Sequence, residues 1–227
     1  MLGTVRRLGL DTLLLARHCR ERDLVLAMIV GRILDPGSKL ALARDLGDAQ
    51  TSTLGEALKL GPVKVDELYR AMAWLLGHQE AIENNLAKRH LHNGALLLYD
   101  LTTVFLKGTT CTLGAYGHGK EHRNDNLQIV VGLLCNREGI PISVQVFSGN
   151  ASECGTLGEQ VLKVRERFGL KQVVFVADRG ILRSAHIKAD LQPCELEWVM
   201  ALRRPAINPS SAQKSLTSFT INPDTSI

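Results

Sequence analysis

Ala95-Leu-Leu-Leu-Tyr-Asp-Leu-Thr-Thr-Val-Phe105 is the stretch whose reading decides the fold. It is filled with apolar, β-branched and aromatic residues, a composition that predicts a buried strand of about ten residues. Asp100 interrupts it. An ionised carboxylate in such surroundings is costly unless it is paired or binds a metal, so Asp100 is the first candidate for chemistry.

Moving outward toward the C-terminus, a glycine-rich stretch covers residues 108–125. Gln128–Cys135 and Ile142–Phe147 then read as two strands, and the short link Asn136-Arg-Glu-Gly-Ile-Pro141 makes them a hairpin. Residues 155–170 read as a helix with Leu157, Val161, Leu162, Val164 and Phe168 on its inner face. Val173-Val-Phe-Val-Ala177 is a short, wholly apolar strand that runs into Asp178-Arg-Gly180. A helix around 184–191 and a strand around 197–202 follow. An order of strand, hairpin, helix, strand, helix, strand predicts a mixed sheet in an α/β domain, because the crossover helix makes the 173–177 strand parallel to a neighbour.

Toward the N-terminus the pattern is helical. A helix over about 20–34 stops at Asp35-Pro36-Gly37, a strong turn signal. Val65, Leu68, Tyr69, Met72, Leu75 and Leu76 fall at the spacing of a buried helix stripe, with Asp66 as its expected N-cap. The expected organisation is a helical region over 1–93, an α/β region over 94–204 and a loose tail over 205–227.

Asp178 ends its strand as Asp100 interrupts its own. Taken alone, Asp178 reads first as a turn or helix-capping residue before Gly180. If the two strands are neighbours, however, their backbones lie about 4.8 Å apart and the two carboxylates converge. Paired carboxylates at strand ends suit Mg²⁺, a hard cation that takes oxygen ligands, and two-metal sites use them for in-line phosphoryl displacement.

At these residues the chain resembles the insertion-sequence transposases of the DDE kind, whose catalytic domain has an RNase H-like fold. The resemblance is carried by Leu8-Gly-Leu10, Asp35-Pro-Gly-Ser-Lys-Leu40, Lys88-Arg-His-Leu91, Tyr99-Asp-Leu-Thr-Thr103, Tyr116-Gly-His-Gly-Lys120, Gln128-Ile-Val-Val-Gly-Leu-Leu134, Phe147-Ser-Gly-Asn150 and Val176-Ala-Asp-Arg-Gly180, in that order. It implies a partial RNase H-like mixed sheet with flanking helices, preceded by an all-α region for DNA binding or assembly. It also implies that Asp100 and Asp178 are two of three catalytic acids, that they hold Mg²⁺ or Mn²⁺, and that the candidate partners are DNA at an element's terminal inverted repeats and a further copy of the chain in a homo-oligomer. The family's third acid, a helical Glu after a long further segment, has no counterpart here. The expectation is therefore a truncated, catalytically silent copy, with a non-catalytic DNA-binding or structural fragment that associates with an intact transposase as the alternative.

The loop 116–125 carries His118, Lys120, His122 and Arg123 among glycines. Glycines let backbone approach a strand and cations release counterions, so Lys120 and Arg123, with Arg179, are the expected phosphate contacts; a merely solvated loop has the same composition. Zinc is disfavoured, because the cysteines and histidines are not closely paired, and Gly-Lys120 followed by Glu121 is not a P-loop.

Composition bounds these readings without choosing among them. The chain has 227 residues, 27 basic against 23 acidic, a net charge of +4 and a pI near 8.9, which permits a polyanionic partner but does not require one. Five scattered cysteines without a C-x-x-C pair argue against a disulfide framework. The longest apolar run, Leu24–Val30, is far short of the roughly 20 residues of a membrane span, so a soluble, cytoplasmic protein is expected.

Overall fold

A computed structural model describes residues 1–48, 53–117, 126–152 and 156–177, together with the backbone of a strand at 197–200. The chain divides into two compact units, Met1–Arg89 and His90–Ile227.

The first unit is helical: α1 (Leu2–Arg7), α2 (Leu10–Leu14), α3 (Arg20–Leu34), α4 (Lys39–Gly47), α5 (Thr53–Ala57) and α6 (Val65–His90). The apolar run of α3 supplies Leu24, Val25, Leu26, Ala27 and Val30, all nearly or fully buried, to a core shared with Ala43, Leu46, Leu58 and Leu68. Two charged residues, Arg22 and Asp23, are buried with them. Asp23 Oδ2 meets His18 Nε2 at 2.6 Å; Arg22 Nη1 donates to the Leu15 carbonyl at 3.1 Å, while its buried Nε has no hydrogen bond and only the Asp23 carboxylate 3.6 Å away. The Ser38 hydroxyl accepts from Ala41 N and caps α4.

Arg20 ties α3 to α6. Its guanidinium donates to the carbonyls of Leu60 (2.6 Å) and Pro62 (3.2 Å) and to the Glu67 carboxylate (2.8 Å). That contact holds the Glu67 carboxyl below its ordinary pKa of 4.5.

The expected inner stripe of α6 is corrected on two counts. Leu68 and Ala71 are fully buried and Leu75 packs on the core, but Tyr69 is 57% exposed, Met72 43% and Leu76 71%. These three share the apolar spacing of a core face while lying on the side the helix turns away from it. Asp66 is not the cap either; the helix begins at Val65, and Asp66 and Glu67 occupy its first turn, where the helix dipole favours negative charge.

The second unit is built on a five-stranded sheet: β1 (Ala95–Phe105), β2 (Gln128–Asn136), β3 (Pro141–Ser148), β4 (Val173–Ala177) and β5 (Glu197–Met200), in the order β3-β2-β1-β4-β5. β1, β2 and β3 form an antiparallel meander. β4 is parallel to β1, and β5 is parallel to β4. This is the mixed α/β sheet that the sequence leads one to expect, with 95–105 and 173–177 as neighbours. The hairpin closes where Asn136 Oδ1 accepts from the amides of Glu138 and Ile140, and Gly139 takes φ +78°, a conformation glycine adopts without steric penalty.

Between β3 and β4 the chain crosses as α7 (Leu157–Leu162) followed by a π turn (Lys163–Arg167). Leu157, Val161 and Val164 are fully buried against Leu97, Tyr99, Leu134 and Phe175, and Phe168 packs beside them. Burying such a side chain is worth about 1.5–3 kcal/mol, and this cluster fastens the crossover to one face of the sheet. Leu162, expected with them, is instead 51% exposed: one residue past Val161 on a helix is a turn of about 100°, which carries it off the inner face. At the β3 edge of this face lies a polar layer. Gln160 Nε2 donates to Gln145 Oε1 (2.8 Å), and Lys163 Nζ donates to Ser143 Oγ (2.9 Å) and to Gln145 Oε1 (3.0 Å). The helix expected around 184–191 and the side chains of β5, Trp198 among them, lie outside the described residues.

Candidate active site

The parallel pairing of β1 with β4 organises the candidate site. Cα partners run from Ala95↔Val173 to Tyr99↔Ala177. β4 ends there, while β1 continues through Phe105, paired on its other side with β2. Asp100 is therefore the first residue of β1 beyond the described end of β4. The crevice outside the carboxyl ends of parallel strands is where open α/β sheets bind ligands.

Strand alternation settles which way Asp100 faces. Ala95, Leu97 and Tyr99 point into the α7 core and are buried, whereas Asp100, Thr102 and Val104 are exposed on the opposite face. Across the ladder Asp100 pairs with Leu133, itself partly exposed. Among the described residues no hydrogen bond or ion pair engages the Asp100 carboxylate. An unengaged carboxylate oxygen pair among aliphatic neighbours is a donor a hard divalent cation takes. One carboxylate is not a complete site, and no group of three metal-ligating side chains occurs among the described residues.

The other residues singled out in the sequence, Asp178, Arg179, Lys120 and Arg123, lie outside the described residues; His118 and His122 do as well. What the structure gives is their anchors. Asp178 follows directly on Ala177 at the end of β4. Residues 118–125 stand between the described residues Gly117 and Asn126, and the chain on either side of them is clasped tightly. Ala115 and Gln128 exchange backbone hydrogen bonds at 3.1 and 3.0 Å, and the Gln128 side-chain amide donates to the Gly149 carbonyl at 2.7 Å. Gly149 N in turn donates to the Leu113 carbonyl at 3.0 Å. Gln128 pairs with Phe105, five positions along β1 from Asp100, a distance of about 17 Å at strand rise.

Sequence reasoning missed the clasp and the support beneath Asp100. Gln128 is 3% exposed; the available signal was a polar residue heading an apolar strand. Tyr99, the residue before Asp100, is buried to the same degree, and burial pushes its phenol up to about 12, with Thr156 moderating the shift. A rigid, uncharged Tyr99 anchors the backbone that presents Asp100.

No protein-family model matches this chain, and no curated protein matches it. Among solved structures, a piggyBac transposase synaptic complex with hairpin DNA is similar over 82% of this chain and 41% of that one, at 16% identity and a TM-score of 0.50. Two Mos1 structures, a paired-end complex with the left transposon end and a mariner paired-end complex with Mn, have TM-scores of 0.32 at 13% and 12% identity. They cover 88% and 86% of this chain and 66% and 64% of theirs. At these identities the likeness is one of fold: a mixed α/β sheet preceded by helices, as in the piggyBac transposase. This chain spans about two fifths of the length of that protein.

Proposed function

We propose that this chain is a transposase-type DNA-processing protein whose second unit binds a divalent ion through Asp100 and Asp178. The observation that carries the reading is the parallel register ending at Tyr99↔Ala177. Asp100 is the next residue of β1 and Asp178 the next in sequence after β4, and Val174 and Val176 pair with Leu96 and Leu98 on the face that Asp100 occupies. The likeness of fold to a transposase held with DNA supports the choice of DNA as substrate.

In this reading the carboxylates hold Mg²⁺ or Mn²⁺, which when bound supplies Lewis acidity at a phosphodiester and activates its attacking oxygen. Lys120, Arg123 and Arg179 hold backbone phosphates and fix the strand over Asp100. Mg²⁺ prefers six oxygens and dehydrates reluctantly, so two carboxylates leave it several waters and position it loosely. Misplacement by about 1 Å costs on the order of a hundredfold in rate. The chain alone is therefore expected to bind DNA and metal weakly and not to transpose.

The test is thermal melting of the full chain with Mg²⁺ and Mn²⁺, in parallel with strand cleavage and transfer on its element's terminal repeats. Wild type is expected to be stabilised by the ions, and Asp100→Asn and Asp178→Asn to lose that stabilisation while still folding. An equal ion-induced shift in both variants overturns the site. Robust cleavage that disappears in both Asp100→Ala and Asp178→Ala overturns the inactivity and leaves another carboxylate, such as Glu153 or Glu195, as the third acid.

A further inference from the structure

We propose that a recess at the start of β1 binds a phosphate group, either the free ion or one carried on a small molecule. The recess measures about 130 Å³, and its walls include His90, His92, Ala95, Asn136, Arg137 and Glu138. Sites for drug-sized ligands run to roughly 300–1,000 Å³, so this one admits a single small group. Ala95 stands five positions before Asp100 on β1, about 17 Å at strand rise, which separates the recess from the carboxylate site.

The walls present donors without acceptors. Asn136 is only 4% exposed, and its Oδ1 accepts from the Glu138 and Ile140 amides at 3.1 and 2.9 Å. The oxygen is thereby fixed, and the NH₂ on the other branch of the amide carries two donors. That NH₂ has no acceptor among the described residues, yet it is not sealed from solvent. The His90 and His92 rings likewise make no hydrogen bond or ion pair among the described residues, and each offers an N–H whether neutral or charged. Arg137 adds a fixed positive charge; the Glu138 carboxylate meets its Nε at 3.4 Å and leaves the two Nη groups uncommitted among the described residues.

Donors therefore come from two sides, the end of α6 with the segment after it, and the β2–β3 turn. A tetrahedral, multiply charged oxyanion accepts from both, whereas a carboxylate accepts in one plane. No three metal-ligating side chains gather among the described residues, so the cluster does not offer a cation its ligands. The segment bearing His92 is held in place: Asn93 Oδ1 accepts from Lys171 N at 3.0 Å and Gln172 N at 3.3 Å, and Gly94 N donates to the Gln172 carbonyl at 2.7 Å. Two features oppose an anion, the Glu138 carboxylate and the free carbonyls at the C-terminal end of α6. Binding is therefore expected in the millimolar range.

The test is titration of the full chain with inorganic phosphate at constant ionic strength, followed by NMR at the Asn136 side-chain NH₂ and the histidine rings. Wild type is expected to show saturable shifts at both. Asn136→Asp keeps the acceptor oxygen of the turn and replaces the donor with negative charge, so it is expected to abolish them. His92→Gln combined with Arg137→Gln leaves the hydrogen bonds of the turn intact and is expected to weaken binding about tenfold or more. Glu138→Gln is expected to strengthen it. A nucleoside monophosphate in place of inorganic phosphate separates the two sources: equal affinity marks the free ion and tighter binding a phosphate ester, and either supports the proposal. Absence of saturation in wild type overturns it, as does binding indifferent to the His92→Gln and Arg137→Gln pair. So does displacement of the phosphate by duplex DNA, because the recess then belongs to a nucleic-acid path.

Discussion

The Tyr99 hydroxyl lies 2.6 Å from where a Cβ on Gly132 would stand, so the phenol ring occupies the room that the glycine leaves. The two residues sit on adjacent strands and face the same core, with the Phe147 ring 3.1 Å from that position on the other side. A methyl group here has nowhere to go unless a buried ring moves. Gly132→Ala is expected to destabilise the protein by roughly 1–3 kcal/mol, as overpacking does. The penalty should shrink when Tyr99→Phe removes the crowded oxygen, and a double-mutant cycle by urea melts measures that coupling.

The same burial makes stability depend on alkaline pH. The Tyr99 phenol ionises near 10 when exposed and near 12 when folded. Its stabilising contribution is complete below pH 10 and is lost as pH rises toward 12, because the unfolded chain gives up the proton first. The loss is on the order of 2 kcal/mol. Urea melts at both ends of that window are expected to show it in wild type and not in Tyr99→Phe.

Arg20 joins three partners from two segments, and its loss should be felt beyond a surface ion pair. Arg20→Met is expected to cost roughly 1–2 kcal/mol, most of it from two carbonyls left without a donor. Glu67→Gln, which removes only the half-exposed pair, should cost less than about 1 kcal/mol. Because Arg20 holds the Glu67 pKa below 4.5, the Glu67 contribution is present above that pH and fades as pH falls through the lowered value. Acid titration of unfolding in wild type and Glu67→Gln reads the difference.

Gly149 is less forgiving than Gly132. A Cβ there falls 1.9 Å from the Gln128 carbonyl oxygen and 2.5 Å from that of Ala115, and backbone cannot swing aside as a ring tip does. Gly149→Ala is expected to cost about 3 kcal/mol or more and to open the clasp between Ala115 and Gln128. Hydrogen exchange at Ala115 and Gln128 monitors the clasp directly.

Asp100 should behave in the opposite way. It is exposed, and no partner engages it among the described residues, so Asp100→Asn is expected to change metal-free stability by less than about 0.5 kcal/mol. DNA affinity, in turn, should fall with salt. Lys120→Ala and Arg123→Ala are each expected to flatten the log–log dependence by about 0.9 if each contacts one phosphate. A fluorescence-anisotropy salt series gives that slope.

Much of this was legible in the residues. The Ala95–Phe105 run, the hairpin ended by Asn136 and Pro141, and the apolar Val173–Ala177 stretch each announce a strand, because pleat alternation and turn chemistry are local properties. The crossover helix then leaves few topologies to choose from. Tyr69, Met72 and Leu76 show where that reasoning stops. Periodicity reveals which residues share a helix face, not which way the face is turned, so an apolar outer strip reads as core. Arg22 and Asp23, two charges at the start of an apolar run, are buried because the Leu15 carbonyl and His18 engage them, and no local pattern encodes those partners. The contact of Tyr99 with Gly132 joins residues more than thirty positions apart, and no local pattern encodes it. At the candidate site Asp100 stood out as a charge inside a strand, whereas Gln128 gave no comparable signal.

The parallel pairing of β1 with β4 also sets an order of assembly. The β1–β2–β3 meander closes through neighbouring segments, while Tyr99 and Ala177 are more than seventy positions apart. Non-local pairing of this kind forms late. On a ribosome adding about 5–20 residues per second, one flank of β1 waits for several seconds as an open edge before its partner has even been synthesised. The parallel flank of β1 is closed only once β4 has been made, and until then the nascent chain offers that edge to any passing strand.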